Sequence, residues 1–158
     1  MNSGQMRGEL RGKIGCIIER KFRISLDIFN DYIRDGENTA GLIDEIPVLA
    51  VLGAASRDGL VVRDAGELRI KETDRIATVA ENFRRMGVEV EVLPDGMSIP
   101  GGQHFRAATF DSFGDHRIAM AFSVAALRAD GPCTIENSEA ASVSFPECYP
   151  TLRMACQK

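Results

Sequence analysis

Two segments of the chain carry apolar residues on nearly every side of a helix. Residues 46–56 (IPVLAVLGAAS) and 116–128 (HRIAMAFSVAALR) are apolar almost throughout, and Pro47 stands where the first turn of a helix accepts proline. A helix that is apolar all round must be buried. The pattern therefore predicts two buried helices at the centre of the fold.

A third helical segment, residues 74–86 (DRIATVAENFRRM), has its apolar residues on one face. This spacing predicts an amphipathic helix, which Gly87 ends. Residues 88–92 (VEVEV) alternate as a half-buried strand does, and the turn at 94–96 (PDG) leads to a second short strand. The segment thus combines one helix with a strand pair.

Each buried helix is followed by an Asp-Gly stop and a predicted strand, LVVRDA (60–65) in one case and CTIEN (133–137) in the other. The glycines of the two stops, Gly59 and Gly131, stand 72 residues apart. That period suits a βαβ-type unit used more than once and is too long for a solenoid repeat. We therefore predict an α/β (α+β) fold with about two copies of one unit, the first irregular or incomplete.

The chain divides into two parts. Residues 1–40 show no clean period and form an N-terminal segment, expected to supply strands that lead into the first buried helix. Residues 41–158 form the domain proper, and a last helix is expected to start near Ser144.

Composition limits the classes of function. The chain has 158 residues, 44% apolar and 27% charged, as expected of one globular domain. It has no apolar run of the roughly 20 residues that a membrane helix needs, and from its polar start we expect no secretory signal. A net charge of −4 and the absence of Trp argue against nucleic acid. We expect a cytoplasmic protein that acts on small molecules, with neither nucleic acid nor membrane as a partner.

The cysteines and histidines lack the spacing of a metal site. Neither a Cys-x-x-C pair nor a nearby histidine accompanies the four cysteines, which are Cys16, Cys133, Cys148 and Cys156. We expect no metal site and reduced, mostly buried thiols.

Two similar tripeptides stand at predicted helix starts, residues 73–75 (TDR) and 115–117 (DHR). Thr73 and Asp115 are the expected N-caps, and a helix N-terminus carries partial positive charge. An arginine beside it adds donors that match phosphate or carboxylate, so two such ends together would form an anion clamp. The alternative is that both are ordinary caps with solvated arginines.

Candidate acid/base groups lie beside these helix starts. Lys71 and Glu72 directly precede the first tripeptide, and Asp44 and Glu45 directly precede the first buried helix. Partial burial can move a carboxyl pKa toward neutrality, which suits general acid/base work. The alternative for Asp44 and Glu45 is favourable placement of negative charge at a helix start.

Four blocks carry a resemblance to a known family: L-I-D-E-I-P-V-L-A, L-R-I-K-E-T-D-R-I, D-H-R-I-A-M-A and S-F-P. Together they resemble the C-terminal part of the EPSP synthase (3-phosphoshikimate 1-carboxyvinyltransferase) family, from Leu42 to Lys158. The resemblance implies βαβαββ units in an enolpyruvyl-transferase-like inverted barrel. In that fold, the helices run inside with their N-termini toward the cleft.

The resemblance also implies a reaction that uses no metal or organic cofactor. The 5-hydroxyl of shikimate 3-phosphate takes the enolpyruvyl group of phosphoenolpyruvate and phosphate is released, a step of the shikimate pathway to aromatic amino acids. By resemblance Asp44 is the base that meets the 5-hydroxyl. By the same resemblance, Glu72 is the carboxylate that takes part in proton transfer at the methylene carbon of phosphoenolpyruvate.

Substrate binding is implied at further matching positions. Lys71 corresponds to a contact on the phosphoshikimate side. Arg75 and Arg117 correspond to the residues that hold phosphoenolpyruvate, or glyphosate in its place, and His116 lies beside them. One family contact is missing, because Val143 stands where many members have a lysine two residues before the Phe-Pro pair.

Family members are much longer and close two domains on the substrate. We therefore expect a complementary N-terminal domain or chain as a partner. The chain would then be a fragment, a truncated natural variant or half of a split enzyme. Two other functions stay open: a non-catalytic module that binds anions or phosphoenolpyruvate, and a related enolpyruvyl transferase acting on UDP-N-acetylglucosamine.

Overall fold

A computed structural model of the chain describes residues 39–156, so the predictions made for residues 1–38, Cys16 among them, lie outside the described part. This part contains five α-helices and five strands. The α-helices are α1 Thr39–Leu42, α2 Ile46–Ala55, α3 Arg75–Arg85, α4 His116–Arg128 and α5 Cys148–Cys156. The strands are β1 Leu60–Val62, β2 Glu91–Leu93, β3 Gly96–Ile99, β4 Thr109–Asp111 and β5 Thr134–Glu136. Two 3₁₀ helices cover Gly66–Ile70 and Ser138–Val143.

The strands form two small sheets. In the first, the order β1-β3-β2 is antiparallel throughout, and β2 and β3 are consecutive strands paired antiparallel. In the second, β4 and β5 pair in parallel, and α4 is the connection between them. A parallel pair needs such a crossover. The element order, α2-β1-α3-β2-β3 and then β4-α4-β5-α5, agrees with the predicted reuse of a βαβ-type unit.

Helix α2 is buried nearly all round, as its apolar sequence predicts, whereas α4 is less so. Helices α2 and α4 pack against each other. Ala50 and Ala54 of α2 are fully buried, but Met120, Val124 and Leu127 of α4 are only half-buried. The prediction of all-round burial is therefore only partly met for α4, which keeps one apolar side near the surface.

The core lies between the helices and the two sheets. Phe83 of α3 and Phe122 of α4 meet edge to face with ring centroids 5.4 Å apart, and Phe110 of β4 lies 5.5 Å from Phe122. All three rings are fully buried. Such contacts add to the stability gained from burial alone, so α3, α4 and β4 are held in one arrangement.

The start of α3 differs from the prediction. Asp74, not Thr73, is the N-cap, because its side chain accepts a hydrogen bond from the backbone N–H of Ala77 at 3.0 Å. Arg75 is consequently the first helical residue. The hydroxyl of Thr73 instead donates to Asp115 at 3.2 Å. The cap of α4 is Asp115, as predicted.

The strand predicted over 88–92 begins only at Glu91. The backbone of Glu89 bonds the side chain of Gln103, which accepts from its N–H at 2.6 Å and donates to its carbonyl at 2.9 Å. These bonds take the place of a strand ladder. The strand after α2 is also shorter than predicted and ends at Val62, because Asp64 takes a left-handed backbone conformation.

The last helix starts at Cys148 and not near Ser144. Pro150 is its third residue, where the missing N–H removes no helical hydrogen bond. Cys133, Cys148 and Cys156 are free thiols, but only Cys148 is buried, and burial raises the pKa of its thiol. Within residues 39–156, no helix has both the length and the apolar character to cross a membrane.

Candidate active site

The six site residues implied by the resemblance lie together. A cavity of about 220 Å³ opens at the N-terminal ends of α2, α3 and α4. It is lined by Asp44, Lys71, Glu72, Arg75, His116 and Arg117. These residues come from three separate parts of the chain, and each precedes or begins a helix. The three helix N-termini therefore direct their partial positive charge toward one place.

Arg75 is the centre of the site. Its side chain is 2% exposed, and its Nε donates to Asp115 Oδ2 at 2.8 Å. One terminal nitrogen donates to Asp44 Oδ1 at 2.8 Å, and the other donates to Glu72 Oε2 at 2.5 Å and to Asp115 Oδ1 at 3.3 Å. The interpretation of Arg75 as a solvated first-turn arginine is therefore wrong, since it is a buried arginine shared by three carboxylates.

These contacts set the ionisation of the groups. Burial opposes charge on Arg75, Asp115 and Asp44, but the hydrogen bonds and charges among them outweigh it. The pKa of Arg75 is raised, and the pKa of Asp115 and the pKa of Asp44 both lie below the usual aspartate value. Lys71 and Arg117 add to the lowering at Asp44. Arg75, Asp115 and Asp44 are consequently charged at neutral pH.

Asp115 contributes more than its sequence pattern indicates. It is fully buried, and one of its carboxylate oxygens accepts from the backbone N–H of Arg117 at 2.8 Å as the cap of α4. The same carboxylate accepts from Arg75 and from the hydroxyl of Thr73. Asp115 thereby joins the starts of α3 and α4. The available sequence signal was an aspartate cap directly beside a histidine and an arginine.

The other two cations of the cavity also have carboxylate partners. Lys71 Nζ forms an ion pair with Glu67 and lies 3.8 Å from Asp44 Oδ1. A terminal nitrogen of Arg117 donates to Glu45 Oε1 at 2.6 Å. The contact with Glu67 raises the pKa of Lys71 above its ordinary value. Lys71 and Arg117 are 23% and 28% exposed, so they are the cations that an entering ligand can reach first.

His116 completes the lining. Its Nδ1 lies 3.5 Å from Glu72 Oε1, and its side chain is 16% exposed. Glu72, Asp115 and His116 each offer a possible metal-ligand atom, all within 4.8 Å of one another. However, the guanidinium of Arg75 already binds the two carboxylates, and its fixed positive charge opposes a cation there. The two carboxylates are therefore engaged by Arg75 in this arrangement.

Comparison with known proteins places these residues in a family. A family model described as EPSP synthase (3-phosphoshikimate 1-carboxyvinyltransferase) matches residues 10–152, so the match begins ahead of Leu42, where the motif resemblance starts. The 3-phosphoshikimate 1-carboxyvinyltransferase of Solibacter usitatus (strain Ellin6076) is 70% identical over 118 residues, which are 75% of this chain and 28% of that protein. That of Koribacter versatilis (strain Ellin345) is 50% identical over 123 residues, 78% of this chain and 29% of that protein.

The fold is similar to solved structures as well. An EPSP synthase from Acinetobacter baumannii superposes with a TM-score of 0.73 at 35% identity, over 76% of this chain and 28% of that one. The predicted α/β, enolpyruvyl-transferase-like fold is thereby confirmed. The chain spans a little over a quarter of the length of these relatives.

Proposed function

The chain belongs to the EPSP synthase family, and on that premise we propose that its domain forms one wall of an enolpyruvyl-transfer site. The observation that carries the proposal is the cavity that brings Asp44, Lys71, Glu72, Arg75, His116 and Arg117 together. The proposed substrates are phosphoenolpyruvate and shikimate 3-phosphate. The reaction needs a base, an acid and several cations, and these six side chains offer all three.

The proposed reaction balances without any further reactant. The 5-hydroxyl oxygen of shikimate 3-phosphate bonds to C2 of phosphoenolpyruvate, the hydroxyl proton goes to a base, and C3 gains a proton to become a methyl group. The tetrahedral intermediate then breaks its C2–phosphate bond, releases phosphate and loses a proton from C3. The product is the enolpyruvyl ether, and no metal or organic cofactor takes part.

Asp44 is the proposed base for the 5-hydroxyl. Its side chain is about half exposed within the cavity lining, so a substrate hydroxyl can reach it. The hydrogen bond from Arg75 keeps the carboxylate ionised, which a base requires, but also makes it a weak one. When an anionic substrate takes over donors of Arg75, Asp44 loses part of this stabilisation, and its basicity rises.

Glu72 is the proposed acid/base group at the methylene carbon. It is about half exposed, and its two oxygens contact Arg75 on one side and His116 on the other. The imidazole of His116 is therefore the proposed partner of Glu72 in proton transfer. Asp44 and Glu72 bind different terminal nitrogens of Arg75, so the two proposed transfers use separate groups.

The cations are proposed to bind the anionic groups of both substrates. Arg117 and Arg75 are assigned to phosphoenolpyruvate, with His116 beside it, and Lys71 to the phosphoshikimate side. Arg75 is almost fully buried and already has three carboxylate partners, so Arg117 and Lys71 make the first contacts. Arg75 then exchanges Asp44 or Glu72 for the substrate.

A second wall is part of the proposal. Ligand sites for small molecules are usually about 300–1,000 Å³, whereas this cavity has about 220 Å³ and must serve two substrates. A complementary N-terminal domain or chain would enlarge the site and exclude water from it.

The family resemblance also supports a cytoplasmic location.

The decisive experiment is a phosphate-release assay with phosphoenolpyruvate and shikimate 3-phosphate, run with this chain alone and with a family N-terminal domain added. We expect turnover only after the addition. Omitting shikimate 3-phosphate controls for simple hydrolysis. The variant Asp44→Asn is assayed as well and should lose turnover, and Asp58→Asn, on the exposed turn after α2, is its matched control. Binding without turnover in both arms would favour the non-catalytic module instead. The names of the relatives do not favour the UDP-N-acetylglucosamine alternative.

A further inference from the structure

Arg75, Lys71 and Arg117 each have a carboxylate partner outside the lining of the cavity. Arg75 has Asp115, Lys71 has Glu67 and Arg117 has Glu45. Of the described residues, the six that line the cavity include none of these three carboxylates. Glu45 joins Arg117 across 72 residues of chain and connects α2 to α4, as Asp115 connects α3 to α4.

Glu45 occupies the N-cap position of α2 without capping that helix. Its side chain makes no capping hydrogen bond, and its backbone takes a helical conformation. Its own N–H donates to Leu42 at 2.9 Å and its carbonyl accepts from Leu49 at 3.0 Å. The backbone of Glu45 is therefore fixed on both sides, and the carboxylate is directed to Arg117 instead of its own helix.

The contact determines which edge of Arg117 faces the cavity. One terminal nitrogen donates to Glu45 Oε1 at 2.6 Å, and the other lies 3.9 Å from Asp44 Oδ2, in the cavity lining. A free arginine side chain samples many rotamers, and ordering it on binding opposes affinity. A charged hydrogen bond already formed in the unliganded protein removes much of that penalty.

We propose that Glu45 is a positioning residue that holds the guanidinium of Arg117 in its anion-binding orientation. The inference rests on the proposed function, since it concerns how Arg117 receives phosphoenolpyruvate. Glu45 touches no reacting atom in this assignment. Glu45 and Arg117 are both partly exposed, so the ion pair between them contributes little to the stability of the fold. We expect its effect on ligand affinity to be modest as well.

The test compares Glu45→Ala and Glu45→Gln with wild type and with Glu81→Ala. Glu81 is the matched control, because it forms an exposed ion pair with Arg85 on α3, and neither residue lines the cavity. Phosphoenolpyruvate binding to the full chain is measured by titration calorimetry, and folding by thermal unfolding. We expect Glu45→Ala to weaken binding about two- to fivefold. Glu45→Gln should weaken it less, because its amide oxygen still accepts a hydrogen bond, and Glu81→Ala should leave it unchanged.

A second readout separates the inference from the proposed function. The side-chain Nε–H signal of Arg117, identified by its loss in Arg117→Lys, is followed by ¹H–¹⁵N NMR without ligand. We expect a signal of an ordered side chain in wild type and a shifted, averaged signal in Glu45→Ala. An unchanged signal in folded Glu45→Ala, or equal losses of affinity in Glu45→Ala and Glu81→Ala, overturns the inference. Absence of phosphoenolpyruvate binding in wild type counts against the proposed function, while the NMR comparison still decides the role of Glu45.

Discussion

Arg75 shows at the scale of one residue why the chemistry of the site depends on the fold. Its neighbours in sequence indicate only a helix start, yet its guanidinium contacts Asp115, 40 residues away, and Asp44, 31 residues away. A buried arginine is stable there because carboxylates bind its donors. The same contacts restrain the carboxylates, and the hydrogen bond from Arg75, with the nearby charges of Lys71 and Arg117, keeps the proposed base ionised.

Replacing Asp44 by asparagine tests its role as base. The amide keeps the size of the side chain and can still accept a hydrogen bond from Arg75, but it accepts no proton. In the reconstituted enzyme we expect the turnover rate to fall about 10²–10⁴-fold, the usual effect of a positioned general base. Phosphate release measures it, and circular dichroism checks the fold. Full activity in a folded Asp44→Asn protein would contradict the assignment.

Replacing Arg75 by lysine tests the shape of the cation rather than its charge. Lysine keeps a positive charge but lacks the planar set of donors that here reaches three carboxylates. We expect weaker binding of phosphoenolpyruvate and of glyphosate, measured by calorimetry. We also expect a lower melting temperature, because removing a partner of the buried Asp115 is unfavourable. Unchanged affinity for both ligands would argue that Arg75 serves the fold alone.

At the scale of elements, the sequence predicts the helices better than the strands. The all-apolar run of α2 and the one-sided pattern of α3 are each long enough to indicate a helix, and their ends have clear stop signals. Strand β4 was missed because Thr109–Asp111 is short and follows no stop signal, whereas the equally short β1 and β5 each follow an Asp-Gly stop. The late start of β2 depends on Gln103, whose side chain bonds the backbone of Glu89 from 14 residues away.

In the candidate site, too, the sequence predicts local features better than contacts between distant parts of the chain. Local sequence identifies the helix starts at which Lys71, Glu72 and Arg117 stand, and the family motifs indicate their roles. Neither indicates that Asp115 would be fully buried between α3 and α4, or that Glu45 would bind Arg117. Those contacts arise only when distant helices pack, so no local pattern contains them.

The packing of α2 onto β1 gives a prediction about Gly53. Alanine is intrinsically better than glycine inside a helix by about 1 kcal/mol. Here a Cβ at Gly53 would lie 2.4 Å from Leu60 Cβ and 3.3 Å from the Leu60 backbone nitrogen. The clash outweighs the preference, so we expect Gly53→Ala to lower the free energy of unfolding by about 1–3 kcal/mol.

Urea unfolding measures this effect, with Gly66→Ala as the control. A Cβ at Gly66 has no neighbour within 4 Å, so that variant should be close to wild type. Equal or greater stability of Gly53→Ala would show that α2 and β1 pack less closely than their geometry indicates.

For the whole molecule, the charged groups at the three helix starts make the free energy of unfolding depend on pH in the acid range. The pKa of Asp115 and the pKa of Asp44 are lowered in the folded protein, because hydrogen bonds to Arg75 outweigh the effect of burial. In the unfolded chain both return to the ordinary aspartate value of about 3.9. The unfolded state therefore binds protons more readily, and the stabilisation is fully present above about pH 4.

As the pH falls from about 4 through the lower folded pKa values, this stabilisation is lost and the free energy of unfolding decreases. Asp115→Asn and Asp44→Asn remove one titrating group each, so both should flatten the decrease, measured by urea unfolding between pH 7 and pH 2.5. Asp58→Asn, at an exposed position, should keep the wild-type slope. Both variants should also be less stable at pH 7, and the loss should be larger for Asp115, which is fully buried, than for Asp44, which is half exposed. A slope that is the same in wild type and in both site variants would mean that the ion pairs of this site do not govern the acid response of the molecule.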